Sequence, residues 1–458
     1  MVKFLYKMRC KENLPFYIFA LFLIIIHYKI HLVSGSDDDF MSTAINTGNF
    51  TQLYANNRVV LNFFGAYIMH LPLIIWKVLN ITVIILLIAK IMQYAAILIT
   101  YSSTENNILI IWGICFLFFL LPFNVLSSGV FWITGSFNYL WGICGSLFIS
   151  IIFIKDLAGI QIRKKELIFG LLLGIYACDV EQSMVIVCLS GIIYLFYCFF
   201  NHKRINREIL FYGLILILEC MPIIFLPFNS HRALGEQGLY FPDFGMLSFW
   251  DKIYQGTMHF YNHLLNELSL LLFLIALFTA VLVYKNVKSK LFQAIATLPL
   301  IYFSFALFIP ISTLKVISAL IPEKYVFNFS NKLYFFGMEE SSFLPFFLAT
   351  FHFILLFFIL LYVLKVQYQK YAMTFLYFTA FSEGLMMSFA PSIFVSGHRV
   401  FLAPDILFLI ITSILGKAAL ADINVTSSVK KIFFCITFFI MLSLAFTIGE
   451  LQNIGIYY

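Results

Sequence analysis

The sequence predicts an all-α, polytopic membrane protein, and three observations carry that prediction. Of 458 residues, 62% are hydrophobic and 11% charged, whereas soluble domains keep apolar usage nearer half. The mean hydropathy is +0.96. Apolar runs of about 20 residues, the length a helix needs to cross a bilayer, recur from Leu14 to Ile448. Counting them gives about 13 transmembrane helices, arranged in a single integral membrane domain over 1–458 with no separate soluble domain.

A basic head (Lys3, Lys7, Arg9, Lys11) precedes the apolar stretch Leu14–Ile30. It has no small-residue cleavage site and many spans follow, so it reads as a retained first helix with its N-terminus inside. The segment 34–58 is then an outer acidic loop. The short segments 155–166, 201–208, 285–290, 365–370 and 417–431 are rich in lysine and arginine, which puts them on the cytoplasmic side. Segments 178–181, 229–262, 313–342 and 392–399 fall outside, 229–262 and 313–342 being the longer outer loops. Upstream, apolar segments at 59–76, 79–98, 107–124 and 138–154 separate an outer loop from an inner one, and an even number of crossings cannot do that. The first, with Pro72 inside it and Lys77 at its end, is predicted to lie in the interface; a re-entrant turn at 122–137 is the alternative.

The net charge of +7 is sorted by membrane side and forms no nucleic-acid patch. Eight cysteines never stand at C-x-x-C spacing and read as small buried hydrophobes. No internal repeat with matching Gly/Pro interruptions appears, which disfavours an inverted-repeat transporter.

In a chain this poor in charge, Ser34-Gly35-Ser36-Asp37-Asp38-Asp39-Phe40 stands out. A carboxylate at the membrane boundary can act as general base or hold a divalent cation; the same triplet would also serve as a solvated, capping turn. Asp37 and Asp38 are the first choices for the base, and Asp37, Asp38 and Asp39 for a magnesium or manganese ion if one is used. Arg9, Arg163, Arg204 and Arg207 obey the inside rule, whereas Arg58, Arg232 and Arg399 sit at outer ends of segments. There a permanently charged fork suits phosphate oxygens or simply anchors a helix end.

In Trp132-Ile133-Thr134-Gly135-Ser136-Phe137-Asn138-Tyr139-Leu140-Trp141, small and polar residues interrupt an apolar run, which suggests backbone lining a cavity. Trp132, Ser136, Asn138 and Tyr139 are candidate sugar or acceptor ligands, the tryptophans also fitting an interfacial aromatic belt. Asp179 and Glu181 interrupt another apolar region, and Glu181 is the candidate hydroxyl ligand. Asn229 and Arg232 lie in Pro227-Phe228-Asn229-Ser230-His231-Arg232. His398 and Arg399 precede a late helix, where peptide dipoles favour anions. His27/His31 and His259/His263 stand at i,i+4 spacing, but with no cysteine or His-Glu arrangement they make weak zinc candidates.

Taken together, the Asp-Asp pair, Asn57-Arg58, the W-x-T-G-S-x-N-Y-L-W block, the mid-chain acid, the P-x-N-x-x-R loop and the late arginine resemble bacterial membrane glycosyltransferases of the GT-C class. The likeness is closest to a group near the serotype-converting glucosyltransferases, and it covers most of the chain in order. The chain departs from the pattern at Asn57 and Phe228, where glycines are the norm. The resemblance implies a GT-C-like fold and a polyprenyl-phosphate-linked sugar donor. It also implies a catalytic loop carboxylate at Asp37 or Asp38, and Arg58, Arg232 and Arg399 on the donor phosphate, where His398, by its place beside Arg399, is a further candidate. The expected activity is sugar transfer to a cell-surface glycan acceptor, in cell-envelope polysaccharide biosynthesis, at the outer face of a bacterial cytoplasmic membrane. The alternatives are a flippase or transporter of an anionic glycolipid, and an outer-face polysaccharide polymerase or ligase.

Overall fold

The computed structural model describes residues 14–32, 36–48, 57–99, 107–226, 228–308, 340–393, 396–421 and 426–453. Every regular element among them is helical. The chain is an all-α polytopic membrane protein. Nine helices among the described residues are long and apolar enough to span a bilayer, or up to ten if a bent pair counts as one span. That pair, Ile108–Phe119 and Phe123–Phe131, turns through 88° at Pro122, whose ring cannot continue the preceding helix. Val59–His70 runs for only 12 residues, roughly 18 Å at 1.5 Å per residue and well short of a hydrocarbon core of about 30 Å. Most of the expected outer loop 313–342 lies outside the described residues.

The helices form two compact units, Met1–Asn229 with Gly416–Tyr458, and Ser230–Leu415.

In the first unit, Leu14–Lys29 packs against Ser427–Asn453, with Phe22 and Phe438 at 5.4 Å and Lys29 Nζ 3.0 Å from Glu450. Ile133–Leu157 is the most enclosed span of this unit, covered by Leu73–Leu98, Lys164–Ala177 and Glu181–Phe200. Arg207–Phe225 turns Phe211, Leu214, Leu218 and Phe225 outward, as a lipid-facing helix does.

The segment expected as an outer acidic loop contains a helix, Asp37–Thr47. Ser36 caps it, its Oγ accepting the Asp38 N–H at 3.1 Å. Three aspartates in the first turn complement the positive end of the peptide dipoles, and Gly48, at φ 64°, closes the other end in the left-handed region.

The second unit opens with Phe228–Tyr240 and the amphipathic helix Phe249–Asn266, started by a reciprocal capping box between Ser248 and Asp251. Ser269–Asn286, Lys290–Phe308, Glu340–Val363 and Gln367–Met386 follow, and the unit ends within Leu402–Leu420. Gly256 lets Phe249–Asn266 press onto the turn at Ser388, whose Oγ a Cβ would meet at 1.7 Å.

Candidate functional site

The first unit gathers its polar side chains around Asn57-Arg58, immediately before Val59–His70. Asn57 is buried, and its Nδ2 donates to the carbonyls of Ile223 at 2.7 Å and Leu226 at 2.6 Å. These are among the carbonyls a helix end leaves unpaired, so Asn57 fastens the end of Arg207–Phe225. Arg58 reaches the other way: its Nε lies 2.7 Å from Glu181 Oε2 and its Nη1 donates to Asn138 Oδ1 at 2.8 Å. Asn138 Nδ2 donates in turn to the Thr134 carbonyl at 3.0 Å. Both partners of the ion pair are mostly enclosed, with 15% and 24% of their side chains exposed. At that burial a charge pair is screened far less than on a surface.

Two buried carboxylates complete the network by capping helices remote from them in sequence. Asp38 is fully buried, and its Oδ1 accepts both the Thr134 N–H at 3.0 Å and the Thr134 hydroxyl at 2.6 Å. Thr134 stands in the first turn of Ile133–Gly135, where N–H groups lack intrahelical partners. Asp179 Oδ2 accepts the Leu61 N–H at 2.8 Å, in the first turn of Val59–His70. Arg58, at that helix's N-cap, makes no side-chain cap. Burial pushes the Asp179 carboxyl up to about 7, against the hydrogen bond from Leu61 and the attraction of Arg58.

The aspartate triplet therefore divides: Asp37 is exposed, Asp38 is spent on Thr134 and Asp39 is half-buried.

The tryptophan block is π-helical on both sides of an extended residue. Ser127–Phe131 and Ser136–Trp141 are wide turns, and Trp132 between them lies at φ −71°, ψ 134°. Such wide turns recur at functional sites. A Cβ on Gly135 would meet the Ser128 carbonyl oxygen at 1.9 Å, so only glycine fits that approach. Trp132 and Ser136 are buried, Ser136 Oγ accepting the Trp76 indole N–H at 3.1 Å. Asn138 and Tyr139 are half-buried. His27 donates from Nδ1 to the Leu23 carbonyl at 2.8 Å and accepts from Asn80 at Nε2, at 3.1 Å, which occupies both ring nitrogens of one metal candidate.

The remaining candidates belong to the second unit or its approach. Asn229 is in the first turn of Phe228–Tyr240, and its side chain lies outside the described residues. Arg232 is exposed and its Nε donates to Glu236 one turn on, at 2.6 Å. His398 and Arg399 form a single 3-10 turn ahead of Leu402–Leu420.

A polar cluster of the second unit escaped the sequence reading in part. His263 Nε2 lies 2.8 Å from Asp405 Oδ1, its Nδ1 3.2 Å from Glu267 Oε2, and its ring stacks on Phe401 at 4.1 Å. His398 Nδ1 is 3.0 Å from the same Glu267 oxygen. Burial alone would lower the His263 imidazolium, but Asp405 and Glu267 outweigh it and hold it up at about 9. Burial would raise Glu267, but its two histidines bring it down to about 2. Two signals could have found this cluster: a glutamate four residues after His263, and an aspartate inside an apolar span.

No protein family, curated protein or solved structure matches the chain.

Proposed function

We propose that this protein transfers a sugar from a polyprenyl-phosphate-linked donor to a glycan acceptor, at the outer face of a bacterial cytoplasmic membrane. One observation carries the reading. Asp38, Arg58, Asn138 and Glu181, chosen separately from the sequence for this chemistry, join one hydrogen-bonded network with Thr134 in the first unit.

Roles follow from burial. Asp37 is the base, because it is exposed at the head of its helix. Asp38 positions that helix on the tryptophan block and is a structural partner. The acceptor hydroxyl forms the new C–O bond at the anomeric carbon while Asp37 takes its proton. The bond from that carbon to the phosphate oxygen breaks, and the electron pair leaves with polyprenyl phosphate. Arg58 stabilises the departing charge. Glu181 and Asn138 hold its guanidinium in one orientation beforehand, which is what makes electrostatic stabilisation effective in a low-dielectric site.

The test is reconstitution in proteoliposomes with a panel of polyprenyl-phosphate hexoses and candidate glycans, reading released polyprenyl phosphate and glycosylated product. Both should form with the native protein, and Asp37→Asn should slow both by about 10²–10⁴-fold, the usual worth of a general base. Donor movement across the bilayer without cleavage, or transfer of whole oligosaccharides, overturns the proposal in favour of a flippase or a polymerase.

A further inference from the structure

Among the described residues, His263, Glu267 and His398 bring their ligand atoms within 4.8 Å of one another. We propose that they bind a divalent transition metal, with zinc as the best match, and that Asp405 orients the site.

The donor set is the first reason. Two imidazoles and one carboxylate form a recurring three-ligand zinc arrangement that leaves a fourth position open, whereas magnesium and calcium take mostly oxygen ligands. Spacing is the second. Metal bonds of about 2.0–2.1 Å in a tetrahedron set neighbouring ligand atoms about 3.3–3.4 Å apart. The Glu267 oxygen lies 3.2 Å from His263 Nδ1 and 3.0 Å from His398 Nδ1, within a few tenths of an ångström of that spacing on two edges, and the two imidazoles close the third edge within 4.8 Å.

The third reason is direction. His398 Nδ1 is paired with the Glu267 oxygen at 3.0 Å, but it does not meet that oxygen along a hydrogen-bonding line. Two ligand atoms set side by side, and not donor to acceptor, are placed as they are around a shared point.

The fourth is support behind the ligands. With Nε2–H of His263 donated to Asp405, Nδ1 is the atom left for a metal. A carboxylate behind a ligating histidine is the usual device for fixing its tautomer and ring angle. Asp405 is fully buried, and Phe401 clamps the same ring face-on, with planes at 14°. His263 is enclosed while His398 and Glu267 keep 36% and 27% of their side chains exposed, so the site has a closed back and an open front. Metal binding displaces the proton from His263 Nδ1 and replaces the contacts among the three side chains with bonds to one ion.

The experiment uses the full chain, carrying a tag without histidine, purified in detergent and stripped with EDTA. Zinc content is measured after dialysis against zinc, and visible absorption after titration with cobalt(II). The native protein should take up one ion per chain, show the intense d–d bands of a tetrahedral site and melt at a higher temperature with zinc. His398→Ala, at a half-exposed position, should lose the ion, the bands and the thermal gain. Asp405→Asn should keep the bands but bind about 10–100-fold more weakly, the usual cost of removing a supporting carboxylate. His259→Ala, one turn away and outside the set, should bind as the native protein does. If native protein and His398→Ala take up equal zinc and show equal melting temperatures, the cluster is an ion-pair network held by a proton and the proposal fails. This outcome is independent of whether sugar transfer is observed.

Discussion

In the first unit two buried carboxylates, Asp38 and Asp179, hold backbone; in the second the carboxylates around His263 hold a side chain. Asp38 and Asp179 each accept an N–H from the first turn of a helix far away in sequence. Their charge meets donors that the helix itself cannot satisfy, and the cost of burying them is offset by fixing where two helices start. Asp405 and Glu267 instead close on His263, whose rings and carboxylates can exchange a proton, or an ion, without disturbing a helix. The first arrangement suits a scaffold that must keep its shape; the second suits a site whose occupant changes.

Removing Arg58 should break the first unit most. Arg58→Ala leaves Glu181 enclosed without its 2.7 Å partner, a change that costs on the order of 3 kcal/mol where the pair is well buried. A thermal melt in detergent should fall accordingly, and adding Glu181→Gln, which removes the charge left unpaired, should recover much of the loss. Next comes Asp38→Ala, which strips both partners from Thr134 and should cost about 1.5–3 kcal/mol, the worth of hydrogen bonds to a charged group. Asp37→Asn, one residue earlier, should cost well under about 1 kcal/mol, the share of one exposed first-turn charge; equal losses from both would show that the triplet acts as one block and would blur the division between positioning acid and base.

The Asp179 carboxyl sharpens the contrast through pH. Its folded value, about 7, lies above the unfolded carboxylate range of about 4. The folded chain therefore binds the extra proton between those limits, and stability contributed by this group falls as pH rises from about 4 to about 7. Melting points measured across that window should slope downward for the native protein and flatten for Asp179→Asn. An unchanged slope would mean that other groups set the pH response. Smallest of all is Arg232→Ala, which removes an exposed i,i+4 pair with Glu236 and should shift the melt by no more than about 0.5 kcal/mol.

The fold class was legible because hydropathy counts apolar residues, and those runs are long and unbroken. Span number was less so. Leu14–Lys29 and Val59–His70 are apolar but short, and the 88° bend at Pro122 leaves one run divided in two; a hydropathy window sees length in sequence, not direction in space. Candidate residues in the first unit could be named one at a time, since acids and arginines are conspicuous in an apolar chain. Their meeting could not: Arg58 and Glu181 are 123 positions apart, and Asp38 and Thr134 are 96 apart, beyond the reach of any helical period. Thr134 passed unnoticed because a threonine inside a tryptophan block carries no charge to mark it. In the second unit the histidine pair His259/His263 drew attention through its spacing; Glu267 stands one turn on from it, while His398 and Asp405 come from a segment far along the chain.

The pairing of Leu14–Lys29 with Ser427–Asn453 has a consequence for synthesis. One of these helices precedes every span of the second unit and the other follows them all, so the first stays uncovered along the Phe438 and Glu450 contacts until the second unit has been made. A chain stalled or cut before Ser427 would carry an open seam in the bilayer, with an unmatched lysine beside it.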